Sequence, residues 1–122
     1  MAALGQARVG MPVVKFGAAT HETRGYITSL NRSWHTVWPR NTALYHHGLL
    51  EMTYDSAGGD SGSPIFIEGT NGWLYLIGIH WGFNQGQYPR RTFGSCIHAI
   101  MQQLNITIYC TDVHNLTAPY CW

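Results

Sequence analysis

Apolar positions along this chain come in short runs, each broken by glycine or by a polar connection. "PVVKFG" (12–17) is an apolar run closed by glycine, and "RGYITSL" (24–30) is rich in β-formers. Across the polar connection "AATHET" the two predict a hairpin. "NRSWHTVWPRN" (31–41) reads as a polar, tryptophan-bearing loop, because Pro39 blocks a central strand. "TALYHHGLLEMTY" (42–54) carries β-formers around Gly48, where a bulge or bend is expected. "PIFIEG" (64–69) and "WLYLIGIHWG" (73–82) predict two more strands joined by "TNG", "NQGQYPRRT" (84–92) a loop, and "FGSCI" a short further strand. "IHAIMQQL" (97–104) is the one convincing helix, since Ile97, Ile100, Met101 and Leu104 recur at helical spacing. Short strands separated by frequent turns and closed by one helix predict a single small antiparallel barrel. Internal repeats, low-complexity tracts and linkers are absent from the pattern.

Length and composition narrow this further. At 122 residues the chain fits one domain, 1–122, which buries about two-thirds of its unfolded surface. Seven basic and six acidic residues give a formal net charge of +1, with no electrostatic footprint for nucleic acid or an anionic membrane. No run approaches the ~18 apolar residues of a membrane span, and "MAALGQARVGM" lacks the apolar core of an export signal. Cys110 and Cys121 bracket ten residues and are placed to close a C-terminal loop, leaving Cys96 over. "NRS" at Asn31, "NIT" at Asn105 and "NLT" at Asn115 are glycosylation acceptors if the chain is exported. They point toward secretion.

Chemistry concentrates in "GGDSGSP" (58–64). Gly58, Gly59 and Gly62 can adopt backbone angles that other residues resist. Such a turn can aim successive N–H groups at one point beside the Ser61 hydroxyl, as an oxyanion site requires. Asp60 drawn inward would fix the turn, and Pro64 would stiffen the exit into the next strand. The same residues also build ordinary turns. No C-x-x-C pair occurs, "CIH" is too tight for two ligands on one metal, and no G-K-[ST] follows the glycines to make a phosphate loop. No metal or cofactor is expected. Trp34, Trp38, Trp73 and Trp81 read as core or pocket wall, and Arg90 and Arg91 as a solvated loop.

Four segments decide between nucleophile and plain turn. "YDSAGGDSGSPIF" (54–66) resembles the nucleophile segment of the chymotrypsin-like (trypsin-like) serine peptidases, most closely their glutamyl endopeptidase branch. "LIGIHWG" (76–82) resembles their specificity strand, "VVKFGAATHETRGYI" (13–27) the hairpin opening their second barrel, and "FGSCIHAIMQQL" (93–104) the run into their C-terminal helix. The resemblance implies an all-β fold. The expected form is a six-stranded antiparallel Greek-key barrel with a C-terminal helix, the C-terminal half of the double barrel. It spans 12–105 as second barrel, with 106–122 as tail.

Carried over by residue, the resemblance makes Ser61 the nucleophile of a serine endopeptidase, with the N–H groups of Gly59 and Ser61 as oxyanion hole. Asp60 becomes the turn-stabilising aspartate, which in trypsin-like members pairs with a new amino terminus. His80, Ser56, Asp55, Trp81 and Gly82 fall on the specificity pocket. His80 implies Glu, Asp or Gln before the scissile bond, whereas Asp55 stands where trypsin-like enzymes hold an acid for Arg or Lys. A serine needs a base, and the base an orienting carboxylate. The family keeps both on its first barrel, for which the sixty residues before Ser61 leave no counterpart. His46 and His47, one on each face of a strand, are weak substitutes. The expected partners are therefore a peptide or protein substrate and a missing N-terminal barrel or companion chain, without nucleic acid or membrane. The expected location is extracellular, with a viral polyprotein origin left open. The alternative is a non-enzymatic half-protease acting as a peptide-binding or inhibitory module. A missing barrel also implies an exposed apolar face on this one.

Overall fold

The computed structural model describes residues 6–38, 42–70, 72–84, 90–106 and 121, with 34–38 and 42–47 as backbone only. Six strands follow one another, β1 (Pro12–Gly17), β2 (His21–Trp38), β3 (Thr42–Met52), β4 (Pro64–Glu68), β5 (Leu74–Phe83) and β6 (Thr92–Cys96), and then helix α1 (Ile97–Leu104). They close into an antiparallel barrel in the order β1-β2-β3-β6-β5-β4. Closure removes the unpaired edges that a small open sheet would expose.

Alternation explains the interior. In β4, Ile65 and Ile67 point inward while Pro64, Phe66 and Glu68 are half-buried. Val13, Ile27, Leu50, Met52, Tyr54 and Ile77 complete the core. Each buried aliphatic side chain there contributes roughly 1.5–3 kcal/mol. β1 breaks the rule, since Val13, Val14 and Lys15 are buried in succession. A lysine without solvent contact requires a partner, and that partner lies in the connection from β3 to β4. Because β3 and β4 sit on opposite sides of the barrel, this connection, residues 53–63, crosses one end of it. "GGDSGSP" rides on that crossing.

Two local expectations change. Residues 31–38 belong to β2 rather than to a loop, with Trp34 opposite His46 and Trp38 opposite Thr42. Polar composition misled here. Thr36, Val37 and the two tryptophans are strand-formers, and Pro39 follows the last residue of the strand. Likewise, β2 begins at His21, inside the expected connection. Gly48 does bulge, at φ 69°, where His47 and Gly48 together face Ser33 between the pairs Arg32–Leu49 and Trp34–His46.

The cysteines also differ from expectation. Cys121 is joined to Cys96, with Cα atoms 6.3 Å apart, not to Cys110, which lies outside the described residues. Sequence distance favoured the shorter loop, but both paired sulfurs are buried against the core, where burial of Cys121 sets the partner. The helix keeps its expected bounds, ending on Asn105 in the left-handed region at φ 52°.

Candidate active site

The crossing turn is held from below by one carboxylate. Asp60 is fully buried and accepts hydrogen bonds from the N–H groups of Ala57 (3.0 Å), Ala19 (2.9 Å) and Thr20 (3.1 Å) and from Thr20 Oγ1 (2.6 Å). Lys15 Nζ completes the set at 3.3 Å from Asp60 Oδ2 and also bonds Thr20 Oγ1 and the His21 carbonyl. Burial alone would raise this carboxyl's pKa. The Thr20 hydroxyl and the three backbone donors outweigh burial and hold it well below the usual carboxylate range. The inward aspartate expected from sequence is present, and its cation is a lysine of the same barrel. Sequence reasoning passed over Lys15, because a lysine inside an apolar run ordinarily points to water.

Above Asp60 the backbone is clamped to β5. Gly62 N–H donates to the His80 carbonyl (2.8 Å), and His80 N–H donates to the Ser63 carbonyl (2.9 Å). Gly59 and Gly62 have φ of 103° and 88°, angles that a side chain would strain. Ser61 stands exposed at the apex, and its Oγ donates to the Trp81 carbonyl at 3.2 Å. No hydrogen bond links that hydroxyl to a histidine or carboxylate among the described residues. The side chains of His35, His46, His47 and His114 lie outside the described residues.

A pocket of about 360 Å³ opens beside Ser61, walled by Ala57, Gly58, His80, Trp81, Gly82 and Phe83. His80 is buried, and its Nδ1 meets the Tyr54 hydroxyl at 2.6 Å. Burial pushes its pKa down to about 4, with Lys15 pushing the same way and Asp60 opposing. The imidazole is therefore neutral at neutral pH. Tyr54 is buried as well, and burial raises its phenol above the ordinary range.

The remaining candidates separate. Ser56 is buried, and its Oγ has no hydrogen-bond partner among the described residues. Asp55 does not wall the pocket. Its side chain is 71% exposed and pairs with Arg90 Nη1 at 3.4 Å. Arg90 is not merely a solvated loop residue. Its guanidinium lies 4.2 Å from the Phe83 ring centroid and donates to the Ser56 carbonyl. Trp81 reaches the pocket wall as expected and stacks on Phe93 with ring centroids 5.9 Å apart. Trp73, by contrast, is partly exposed rather than core. Cys96, His98 and Cys121 bring possible ligand atoms within 4.8 Å of one another. Two of those sulfurs are spent in the disulfide and offer no thiolate to a metal.

Comparison with known proteins places this geometry. No family model matches the chain. The uncharacterized protein Rv1815 of Mycobacterium tuberculosis is 31% identical over 93 residues, covering 74% of this chain and 36% of the relative. Among solved structures, Cellulomonas bogoriensis chymotrypsin superposes with a TM-score of 0.64 at 26% identity, covering 85% of this chain and 52% of that one. A glutamic acid-specific serine protease with a histidine triad in substrate binding gives 0.65 at 24% identity, covering 89% and 54%. Thermobifida fusca protease A gives 0.61 at 25% identity, covering 84% and 52%. The chain thus spans about half the length of these structures and about a third of the curated relative. A closed six-stranded barrel ending in one helix, with these neighbours, has the fold of a chymotrypsin-like serine protease barrel.

Proposed function

We propose that this chain is the nucleophile-bearing second barrel of a serine endopeptidase. The observation carrying the reading is Ser61, exposed on a turn pinned by a fully buried Asp60 and opening onto the pocket that His80 walls. In this reading Ser61 Oγ attacks the scissile carbonyl and forms a C–O bond while its proton passes to a base. The N–H groups of Gly59 and Ser61, neither bonded to another described group, stabilise the oxyanion. Collapse expels the amine, which takes the proton, and water then hydrolyses the acyl-enzyme. The base and its carboxylate come from the other barrel, whether encoded upstream or carried on a companion chain. By itself this polypeptide is catalytically poor.

The pocket fits an acidic or amide side chain. Among the described residues no carboxylate walls it, Asp55 turns outward to Arg90, and a neutral imidazole lines it. The unpartnered Ser56 hydroxyl, one residue from the wall, supports a site that a polar side chain completes. Since Lys15 already meets Asp60, the turn needs no newly cut amino terminus. Export agrees with the Cys96–Cys121 disulfide and with the exposed sequon residues Asn31 and Asn105.

One observation favours a peptide-binding module instead, namely that Ser61 Oγ bonds a carbonyl and, among the described residues, no base. Cleavage assays separate the two. A chain extended upstream to include the first barrel is expected to cleave peptides after Glu, Asp or Gln, and Ser61→Ala is expected to abolish cleavage. Peptide binding by the extended chain without cleavage would support the module.

A further inference from the structure

We propose that Arg90 is a positioning residue of the pocket, a strap behind it that fixes the spacing of its two walls and acts through its planar fork rather than through its charge. The inference rests on the proposed reading of that cleft as a site for a substrate side chain. It adds a residue that the sequence places on a solvated loop, and the way that residue works.

The pocket is a gap between two segments. Ala57, Gly58 and Ser61 come from the β3–β4 crossing, and His80 to Phe83 from β5. Gly58 and Gly82, one on each wall, meet nothing within 4 Å where a Cβ would stand. At the Ser61 end the segments are fastened backbone to backbone, by Gly62 N–H on the His80 carbonyl and His80 N–H on the Ser63 carbonyl. The other end runs from Ser56 to Phe83, and there a side chain makes the fastening. Arg90 donates through Nη2 to the Ser56 carbonyl and lays its guanidinium 4.2 Å from the centroid of the Phe83 ring.

The base of the strap is itself anchored. Arg91 N–H donates to Asn84 Oδ1 at 2.7 Å and Asn84 N–H to the Arg91 carbonyl at 3.1 Å, and Thr92 then pairs with Phe83 in the ladder. Arg90 therefore starts from a fixed backbone at the end of β5 and reaches across to the crossing. The crossing is held there residue by residue. Thr23 Oγ1 donates to the Asp55 carbonyl at 2.7 Å, Ala57 N–H donates to Asp60 Oδ2 at 3.0 Å, and Arg90 holds the Ser56 carbonyl between them.

Three contacts at once require arginine. Nη1 lies 3.4 Å from Asp55 Oδ1, Nη2 meets Ser56, and the flat face meets Phe83. A lysine ammonium is a point charge that cannot meet all three. The ion pair contributes little of the hold, because its side chains are 44% and 71% exposed. Asp55 still balances the charge, and Arg90 stands behind the wall rather than in it. Its action on a bound side chain is thus mechanical, the same for a carboxylate as for an amide.

The test needs no turnover and uses the chain of 122 residues. Proton spectra of the unaltered chain should show the Arg90 side-chain resonances moved upfield by the Phe83 ring. In Arg90→Met and Arg90→Lys, amide exchange at Ser56 and Ala57 should quicken about tenfold, as the loss of one charge-assisted hydrogen bond implies. Exchange at Gly62 and His80, on the other fastening, should not change. Acetylated tripeptides ending in glutamate or glutamine, titrated by NMR, should each bind about tenfold more weakly to both variants. Wild-type behaviour of Arg90→Lys, or weakening of the glutamate peptide alone, would show charge at work and overturn the proposal. Equal quickening at Gly62 and His80 would reduce Arg90 to a general stabiliser and overturn it too. Unshifted Arg90 resonances in the wild-type chain would overturn it even where a variant misfolds. Failure of both peptides to bind the wild-type chain would overturn the claim that the strap serves a side-chain pocket. Peptidase activity enters none of these readings, so an inert Ser61 leaves the strap standing, and a failed strap leaves Ser61's role untouched.

Discussion

Lys15 Nζ lies 3.3 Å from Asp60 Oδ2, and neither side chain touches solvent. The pair joins β1 to the turn that displays Ser61, across forty-five residues of chain. Removing one partner leaves the other as an uncompensated buried charge, which costs several kcal/mol, whereas removing both costs much less. Lys15→Met is therefore expected to destabilise the barrel by roughly 3–5 kcal/mol. Lys15→Met combined with Asp60→Asn should lose less than the sum of the single changes. Urea denaturation of the four proteins checks this, and strict additivity would show that the two groups act independently.

His80 makes stability depend on pH in a defined window. Its folded pKa is about 4, below the usual 6.5, so the unfolded chain binds an extra proton between those values. Stability rises with pH across that window and is lost as pH falls through it, by up to roughly 3 kcal/mol. Asp60 acts lower, because its folded pKa is depressed. Its contribution is complete above the unfolded carboxylate value and disappears as pH falls toward the folded one. Denaturation midpoints from pH 4 to pH 7 should show the slope in the wild-type chain and a flatter profile in His80→Gln.

Gly17 is where β1 passes beneath the turn. A methyl group there would overlap Asp60 Oδ1 and lie 2.6 Å from Ser63 Oγ. Gly17→Ala is expected to cost about 1–3 kcal/mol and to loosen the apex. Gly58→Ala, which meets nothing within 4 Å, is the matched control. Thermal melts of the two proteins provide the comparison.

The Cys96–Cys121 disulfide ties residue 121 to the junction of β6 and α1. Opening a loop with a sequence separation of 25 is expected to cost about 3 kcal/mol. Peptide mapping under non-reducing conditions should recover Cys96 linked to Cys121 and Cys110 alone. A Cys110–Cys121 fragment would contradict this pairing.

What could be read in advance follows the range of each signal. The helix from Ile97 to Leu104 and the bulge at Gly48 are written in neighbouring residues, and both stand where the pattern puts them. The Ser61 turn is equally local, a cluster of glycines whose backbone angles announce themselves. Lys15 is different. Nothing beside it shows that a carboxylate forty-five residues away will lie beneath the strand. Tyr54 reads as one more β-former until the barrel closes and sets it against His80. Asp55 and Arg90 meet only because the β3–β4 crossing passes the end of β5. The tryptophan-bearing stretch of β2 was obscured by its polar neighbours, though its partner strand supplies the ladder that composition hides.

The most direct measurement on the central claim is labelling by a fluorophosphonate, which reacts with a serine only where a base and an oxyanion site have activated it. The chain of 122 residues should remain unlabelled, and a form extended upstream through a first barrel should be modified at Ser61, as mapped by mass spectrometry. Labelling of the short chain would contradict the claim that its base comes from elsewhere. An extended form that folds but never labels would contradict the assignment of Ser61 as a nucleophile.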